Sequence, residues 1–269
     1  MKTERGVSHF SKRVRQTVTT YRNFPRVFLD LARAETRWRP DEVRYSLRNG
    51  LEVVTPNADG ARHPLYEVFS DNAYRLDELC AGVDPDATVL DIGGQIGAFT
   101  LALSQQMPQA RIHVYEASPT SAGYVSRNVA ANGLDDRVTV HATALASENG
   151  TFTFVDSGDA SGLNGLTAPE GLGAEVTVPA TTFDDAVKAA GGPVQIVKID
   201  VEGAEYDILL PSDPTSWSDV RKVVMEYHPV EGHSLQELLD FFAGLGITED
   251  RHEPTVREGL GTMWLSRKS

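Results

Sequence analysis

Cysteine is almost missing from this sequence: Cys80 stands alone among 269 residues. A single thiol cannot close an internal disulfide, and it excludes zinc sites built on several cysteines. Cys80 ends the run YRLDELCAGV, where a buried, inert thiol is expected. Long apolar runs are missing too. None approaches the ~18 uninterrupted apolar residues of a spanning helix. The start of the chain lacks the charged-then-apolar pattern of a signal peptide. The expectation is a soluble, cytoplasmic protein. Basic residues are scarce outside the first 40 positions. That segment holds 10 Lys and Arg against 3 Asp and Glu, whereas the rest holds 15 against 35, a net −20. A body this acidic repels phosphate backbones, so nucleic acid is not an expected partner. The basic arm is expected to dock on its own acidic body or to stay disordered. His9, His63, His113, His141, His233 and His252 show no ligand spacing.

What is present is a regular alternation. With 41% hydrophobic residues the chain can build a full core. FPRVFLDLARAE places Val27, Phe28, Leu31 and Ala32 on one helical face. Asn49-Gly50 between two alternating runs predicts a hairpin. HPLYEVFSDNAYRLDELCAG reads as helix with a break near Ser70-Asp71. From residue 87 the pattern becomes strand (TVLDIGG), helix (GAFTLALSQQM), strand (RIHVYEA), helix (SPTSAGYVSRNVAANG) and strand (RVTVHATAL). Ser118, Pro119 and Gly133 bound the second of these helices. Such alternation predicts a parallel sheet with helices on both faces. GTFTFVD and AEVTVPA read as strands outside that sheet. The segment between them, residues 157–173, carries five glycines and is expected to be a mobile loop beside the functional site. The alternation then resumes through VQIVKIDV and VRKVVMEYHP. A helix with a Ser234/Glu237 capping box follows, and a closing hairpin ends the chain.

The stretch VLDIGGQIG (residues 89–97) carries the chemistry. A strand, a glycine turn and a helix start suit a nucleotide, because glycines allow close backbone approach and the helix start offers free N–H groups. Gly93, Gly94 and Gly97 do not fit the Gly-x-Gly-x-x-Gly dinucleotide spacing. Asp91 just before the turn disfavours a pyrophosphate and favours a sulfonium, as in S-adenosylmethionine (SAM). Glu116 ends the next strand, where a carboxylate can accept both ribose hydroxyls. Ala117 follows it, and Thr143-Ala144 mark the place of an adenine edge.

VLDIGGQIGAFT, VYEASP, VKIDVEGAEYDILL and VVMEYHP, in this order, resemble the FkbM family of SAM-dependent methyltransferases over about residues 43 to 230. KIDVEGAE is the most specific element. The family's first motif is closer to D-I-G-A-N-x-G, so Gly94 and Gln95 depart from it while an amide is kept at 95. The resemblance implies a Rossmann-like α/β fold. Its seven-stranded sheet is mostly parallel with a reversed last strand and helices on both faces. It also implies methylation of hydroxyls on small molecules such as sugars, macrolides and other secondary metabolites. Residues 1–42 are then a basic, partly helical arm. Residues 43–269 are the catalytic domain, with a hairpin and helix over 43–86 and a glycine-rich insertion over 150–180.

In an open α/β sheet the site lies beyond the carboxyl ends of the strands. Asp200 and Glu202 close one late strand, and Glu226 and His228 close the next. Asp200, Glu226 and His228 are the candidate catalytic residues, with one of them as base for the acceptor hydroxyl. A secondary role for such groups is a divalent cation such as Mg²⁺ held by Asp200, Glu202 and Glu226, which would acidify that hydroxyl. Lys198 shares a strand face with Asp200 and is expected to pair with a carboxylate. Glu205 is expected to favour a helix start through the dipole. Tyr74 is placed to cover the methionine end of SAM or to pack. Two other classes compete with an O-methyltransferase: an NAD-dependent oxidoreductase, and a SAM-binding subunit without activity.

Overall fold

The computed structural model describes residues 2–34, 36–156, 174–256 and 259–268. Helices α1 (Lys2–Thr20) and α2 (Phe24–Ala32) lead into a hairpin of β1 (Glu42–Ser46) and β2 (Glu52–Pro56), turned at Gly50 with φ +98°. Tyr21 and Val27 are fully buried, and Tyr21 packs against the rings of Tyr45 and Tyr66 at 4.9 and 5.9 Å. Exposed pairs such as Lys12–Asp71 (2.9 Å) and Arg22–Glu52 (2.6 Å) join the arm to the body. Each contributes about 0–1 kcal/mol. Burying an apolar side chain contributes about 1.5–3 kcal/mol, so the rings rather than the ion pairs hold the arm. Helices α3 (Asp59–Phe69) and α4 (Leu76–Leu79) follow, separated at the expected break.

The central unit then runs β3 (Thr88–Ile92), α5 (Ala98–Gln106), β4 (Arg111–Tyr115), α6 (Pro119–Ala131), β5 (Val138–His141) and β6 (Ala144–Leu145). An excursion through β7 (Gly150–Asp156) and β8 (Ala174–Thr181) comes next. It is followed by α7 (Phe183–Ala189), β9 (Val194–Ile199), α8 (Glu205–Leu209), β10 (Lys222–Tyr227), α9 (Leu235–Gly244), β11 (Ile247–Pro254) and β12 (Gly261–Arg267). The main sheet has the order β11-β12-β10-β9-β3-β4-β5. Strands β5, β4, β3, β9 and β10 are parallel neighbours, and β12 runs antiparallel to β10, which is the reversed strand the sequence implied. Every residue of β3 and β9 is buried, as a strand covered on both faces requires. One core lies under α3, α5 and α6, and the other under α7, α8 and α9.

The expected strand RVTVHATAL is two strands. Residues 138–141 pair with β4, whereas Ala144 and Leu145 leave the main sheet and pair with β8. The cause is geometric, since β4 ends at Tyr115 and offers no partner beyond His141. Strands β6, β8 and β7 form a separate three-stranded sheet, so GTFTFVD and AEVTVPA do lie outside the main one. The glycine-rich segment 157–173, read from the sequence as a mobile loop, falls outside the described residues. Among the described residues no helix is long and apolar enough to cross a membrane.

Candidate active site

The glycine turn after β3 is shaped by left-handed backbone at Gly93 (φ +81°), Gln95 (φ +49°) and Gly97 (φ +86°). A Cβ on Gly93 would stand 1.7 Å from the carbonyl oxygen of Asp200, and one on Gly94 would stand 2.2 Å from Val114 Cγ1. Both glycines are therefore required by close approach, independent of any ligand. Asn128 of α6 supports the turn from behind: its Nδ2 donates to the Ile96 carbonyl at 2.8 Å and to the Val54 carbonyl at 3.1 Å.

Beside the turn a cleft opens at the carboxyl ends of β3, β4 and β9. Gly93, Gln95, Glu116, Ala117, Thr143, Ala144, Asp200 and Glu202 all line it. Glu116 is held there by two backbone groups. Its Oε2 accepts the Gln95 N–H at 2.7 Å and its Oε1 accepts the Ser118 N–H at 2.9 Å. Each oxygen keeps further lone pairs for a ligand. Burial raises the Glu116 carboxyl to about 7 against the pull of those two N–H groups.

Asp91 occupies a different place from the one its sequence position suggested. It is fully buried beneath the turn and is not among the cleft-lining residues. Thr100 Oγ1 donates to its Oδ2 at 2.6 Å, and Lys198 Nζ lies 3.3 Å from its Oδ1. Lys198 also donates to the carbonyl of Gly93 at 2.5 Å and lies 3.9 Å from Asp200 Oδ2. The expected pairing of Lys198 is thus present twice over. Burial opposes the ammonium, but Asp91 and Asp200 hold its pKa above the ordinary value. Lys198 thereby links Asp91 to Gly93 and Asp200, which line the cleft. Tyr74 packs edge-on against Phe99 and points its hydroxyl at Asp200 Oδ2, 3.4 Å away.

The acidic strand ends do converge. Glu202 adopts φ +51°, an uncommon conformation for a residue with a Cβ, and it turns its carboxylate toward His228. His228 Nε2 lies 3.3 Å from Glu202 Oε2 and 4.0 Å from Glu226 Oε1. Its Nδ1 lies 2.6 Å from Glu205 Oε1, and Glu205 is fully buried. A neutral imidazole donates one hydrogen bond, so a ring between two carboxylates is held in its doubly protonated form. Burial opposes this charge, but Glu202 and Glu205 outweigh it and raise His228 to about 10. Burial, reinforced by Asp200, raises Glu226 to about 8. Ligand atoms of Asp200, Glu202 and His228 all lie within 4.8 Å of one another, the one such cluster of three or more among the described residues. The cation triad read from the sequence had Glu226 in place of His228.

Glu205 is the residue whose role the sequence understated. It accepts the Gly203 N–H at 3.3 Å, which is the expected helix-start role, and it also fixes His228. The spacing E-G-A-E gave no sign of a partner 23 positions away. Phe152 and Phe154 of β7 also line the cleft and were not anticipated.

The sheet order, the reversed strand and a cleft beyond the glycine turn define a class I methyltransferase-type α/β protein. The model of the methyltransferase FkbM domain matches residues 91–248, and the chain belongs to that family. It is 27% identical over 234 residues to the 31-O-demethyl-FK506 methyltransferase FkbM of Streptomyces tacrolimicus, covering 75% of this chain and 87% of that one. It is 29% identical over 218 residues to the methyltransferase sdnD of Sordaria araneosa, covering 70% and 83%. A solved structure of methyltransferase FkbM from Methylobacillus flagellatus KT matches at a TM-score of 0.46 and 16% identity, covering 77% of this chain and 55% of that one.

Proposed function

We propose that the protein is a SAM-dependent O-methyltransferase acting on a hydroxyl of a small molecule. The observation that carries this reading is the cleft running from Glu116 to Asp200 and Glu202 along three strand ends. Glu116 would hold the ribose hydroxyls, the 93–97 turn the backbone-facing side of the nucleoside, and Ala117, Thr143 and Ala144 the adenine edge. Asp91 would serve by fixing Lys198 and the turn. SAM supplies an electrophilic methyl group. The names of the relatives support an acceptor among secondary metabolites, since the first acts on 31-O-demethyl-FK506.

Asp200 lines the cleft, and Glu226 and His228 stand outside its lining, joined to it through Glu202; in this reading the three meet the acceptor hydroxyl. Alignment of the two reactants supplies much of the rate in such a transfer. His228 Nε2 is the proton acceptor of this reading, after it has lost its own proton to solvent. The Glu205 contact keeps Nδ1–H in place and leaves Nε2 to receive the proton.

A second reading is favoured by one observation, the three ligand atoms within 4.8 Å. Asp200, Glu202 and His228 form a mixed oxygen and nitrogen donor set that fits a divalent cation, which would lower the pKa of a bound hydroxyl.

Titration calorimetry with SAM and with NAD tests the cofactor. Binding of NAD alone would return the protein to the oxidoreductase class. Methyl transfer from labelled SAM to a hydroxylated acceptor panel tests the reaction, with and without chelator. Asp200→Asn and Glu226→Gln should lower turnover while cofactor affinity changes little. Wild-type rates in both variants and in His228→Ala would place the chemistry elsewhere. Activity lost to chelator and restored by Mg²⁺ selects the second reading.

A further inference from the structure

The inserted sheet carries a feature that the transfer reaction has not used. Strand β7 has its inward side chains at alternate positions: Phe152, Phe154 and Asp156 are sheltered, while Thr151 and Thr153 are exposed. The two phenyl rings lie 6.0 Å apart with 25° between their planes. Phe154 is buried against Ala144, Val178 and Ala180, the small core of this sheet. Phe152 is only half-buried, and its partners on one side are the cleft itself. Both rings line the cleft together with Thr143, Ala144 and Leu145.

The third member of the row is a fastener. Asp156 Oδ2 accepts the Ser118 hydroxyl at 2.7 Å, and the Ser118 N–H donates to Glu116 Oε1. One face of a single strand therefore supplies two aromatic rings and the carboxylate that ties them to Glu116. A sheet inserted only to bury itself needs Phe154 but not Phe152, and it needs no bond to the Glu116 loop.

We infer that the inserted sheet belongs to the cofactor site: Phe152 and Phe154 form the wall on which the purine of the bound nucleoside lies, and the Asp156–Ser118 bond fixes that wall relative to Glu116. This rests on the SAM reading of the cleft. A half-exposed phenyl ring beside a nucleoside cleft gains by covering a purine face, because base–aromatic contact requires no hydrogen-bond match.

The test uses two ligands that share the adenosine half, S-adenosylhomocysteine (SAH) and 5′-methylthioadenosine, in titration calorimetry against the whole chain. Phe152→Ala should weaken both by the same factor, roughly 5- to 150-fold. Phe152→Tyr keeps the ring and should bind both within about twofold of wild type, which separates stacking from a folding defect. Equal far-ultraviolet dichroism and melting of the variants check the fold. Wild-type affinity for both ligands in a folded Phe152→Ala variant overturns the wall while leaving the SAM reading intact. A loss confined to SAH also overturns it, since the wall would then touch the amino-acid end. Absence of SAH binding to the wild-type chain overturns the SAM reading, and the wall with it.

Discussion

If Glu116 holds the ribose hydroxyls as proposed, cofactor binding should depend on pH in the neutral range. Two ribose hydroxyls can both donate only to an ionised carboxylate. Burial holds the Glu116 carboxyl at about 7 in the free protein, so a proton must leave before the diol is gripped. With that value, about one molecule in eleven is ionised at pH 6 and about ten in eleven at pH 8. The apparent affinity scales with the competent fraction, so binding should be about tenfold weaker at pH 6 than at pH 8. SAH is the appropriate probe, because it lacks the sulfonium charge that would also sense Glu226. Calorimetry at pH 6, 7 and 8 measures the slope directly. Glu116→Gln should abolish the slope and weaken binding at pH 8 by roughly 10- to 150-fold, as a lost charged hydrogen bond implies. Stability follows the opposite direction. The folded-state pKa is raised above the unfolded value of about 4.3, so this group favours the fold fully below that value, and the contribution is lost as pH rises through about 7. An SAH affinity that is flat from pH 6 to 8, or an unchanged slope in Glu116→Gln, would refute the assignment.

Three further outcomes are expected. Because Glu202 and Glu205 raise His228 to about 10, turnover limited by its loss of a proton should climb about tenfold per pH unit from 7 to 9. His228→Ala should remove that climb and lower turnover by roughly 10²–10⁴, and a pH profile identical to wild type would count against His228 as base. Lys198→Met leaves the buried Asp91 carboxylate without its cation, which should cost about 3–5 kcal/mol in urea unfolding. The double variant with Asp91→Asn should recover part of this loss, and an unchanged midpoint in the single variant would show that the pair is not coupled. Gly93→Ala forces a Cβ to within 1.7 Å of the Asp200 carbonyl at a positive φ, so the melting temperature and SAH affinity should both fall, whereas a normal melt would mean that β3 and β9 part easily.

Periodicity and capping residues made the main sheet legible. Ser118 caps α6 through the Ser121 N–H, and Ser234 and Glu237 form the capping box of α9, both as their spacing indicated. Turn chemistry was equally readable at Asn49-Gly50, since local backbone geometry depends on neighbours in sequence. What could not be read was the direction in which a buried carboxylate would spend itself. Asp91, Glu116 and Asp200 all lie at strand ends, yet Asp91 serves Lys198 and Thr100 beneath the turn, whereas Glu116, which holds two backbone N–H groups, and Asp200 both line the cleft. The split of RVTVHATAL failed for the same reason, because strand membership depends on a partner elsewhere in the chain. Glu205 shows the limit most directly: its helix-start role is local and was seen, while its bond to His228 is not local and was missed.

The buried charges around the cleft do not balance, and under the proposed chemistry the imbalance has a direction. Lys198 and His228 are two cations set among Asp91, Asp200, Glu202, Glu205 and Glu226. Glu226, with its carboxyl raised to about 8, is mostly neutral at pH 7. The remaining carboxylates still outnumber the two cations, so a sulfonium entering beside Asp200 is attracted. At an effective dielectric constant of 20, one unpaired charge at ~6 Å contributes about 3 kcal/mol. Methyl transfer removes the sulfonium charge and leaves a neutral thioether. The same residues that draw the substrate in therefore lose their hold on the product, and the reaction itself lowers the affinity of the cleft for what it has made. Lys198 limits this effect by neutralising Asp91. That explains why a cation is tolerated so close to a site for another cation: without it, the turn would carry an unpaired buried carboxylate, at a cost to the fold of about 3–5 kcal/mol.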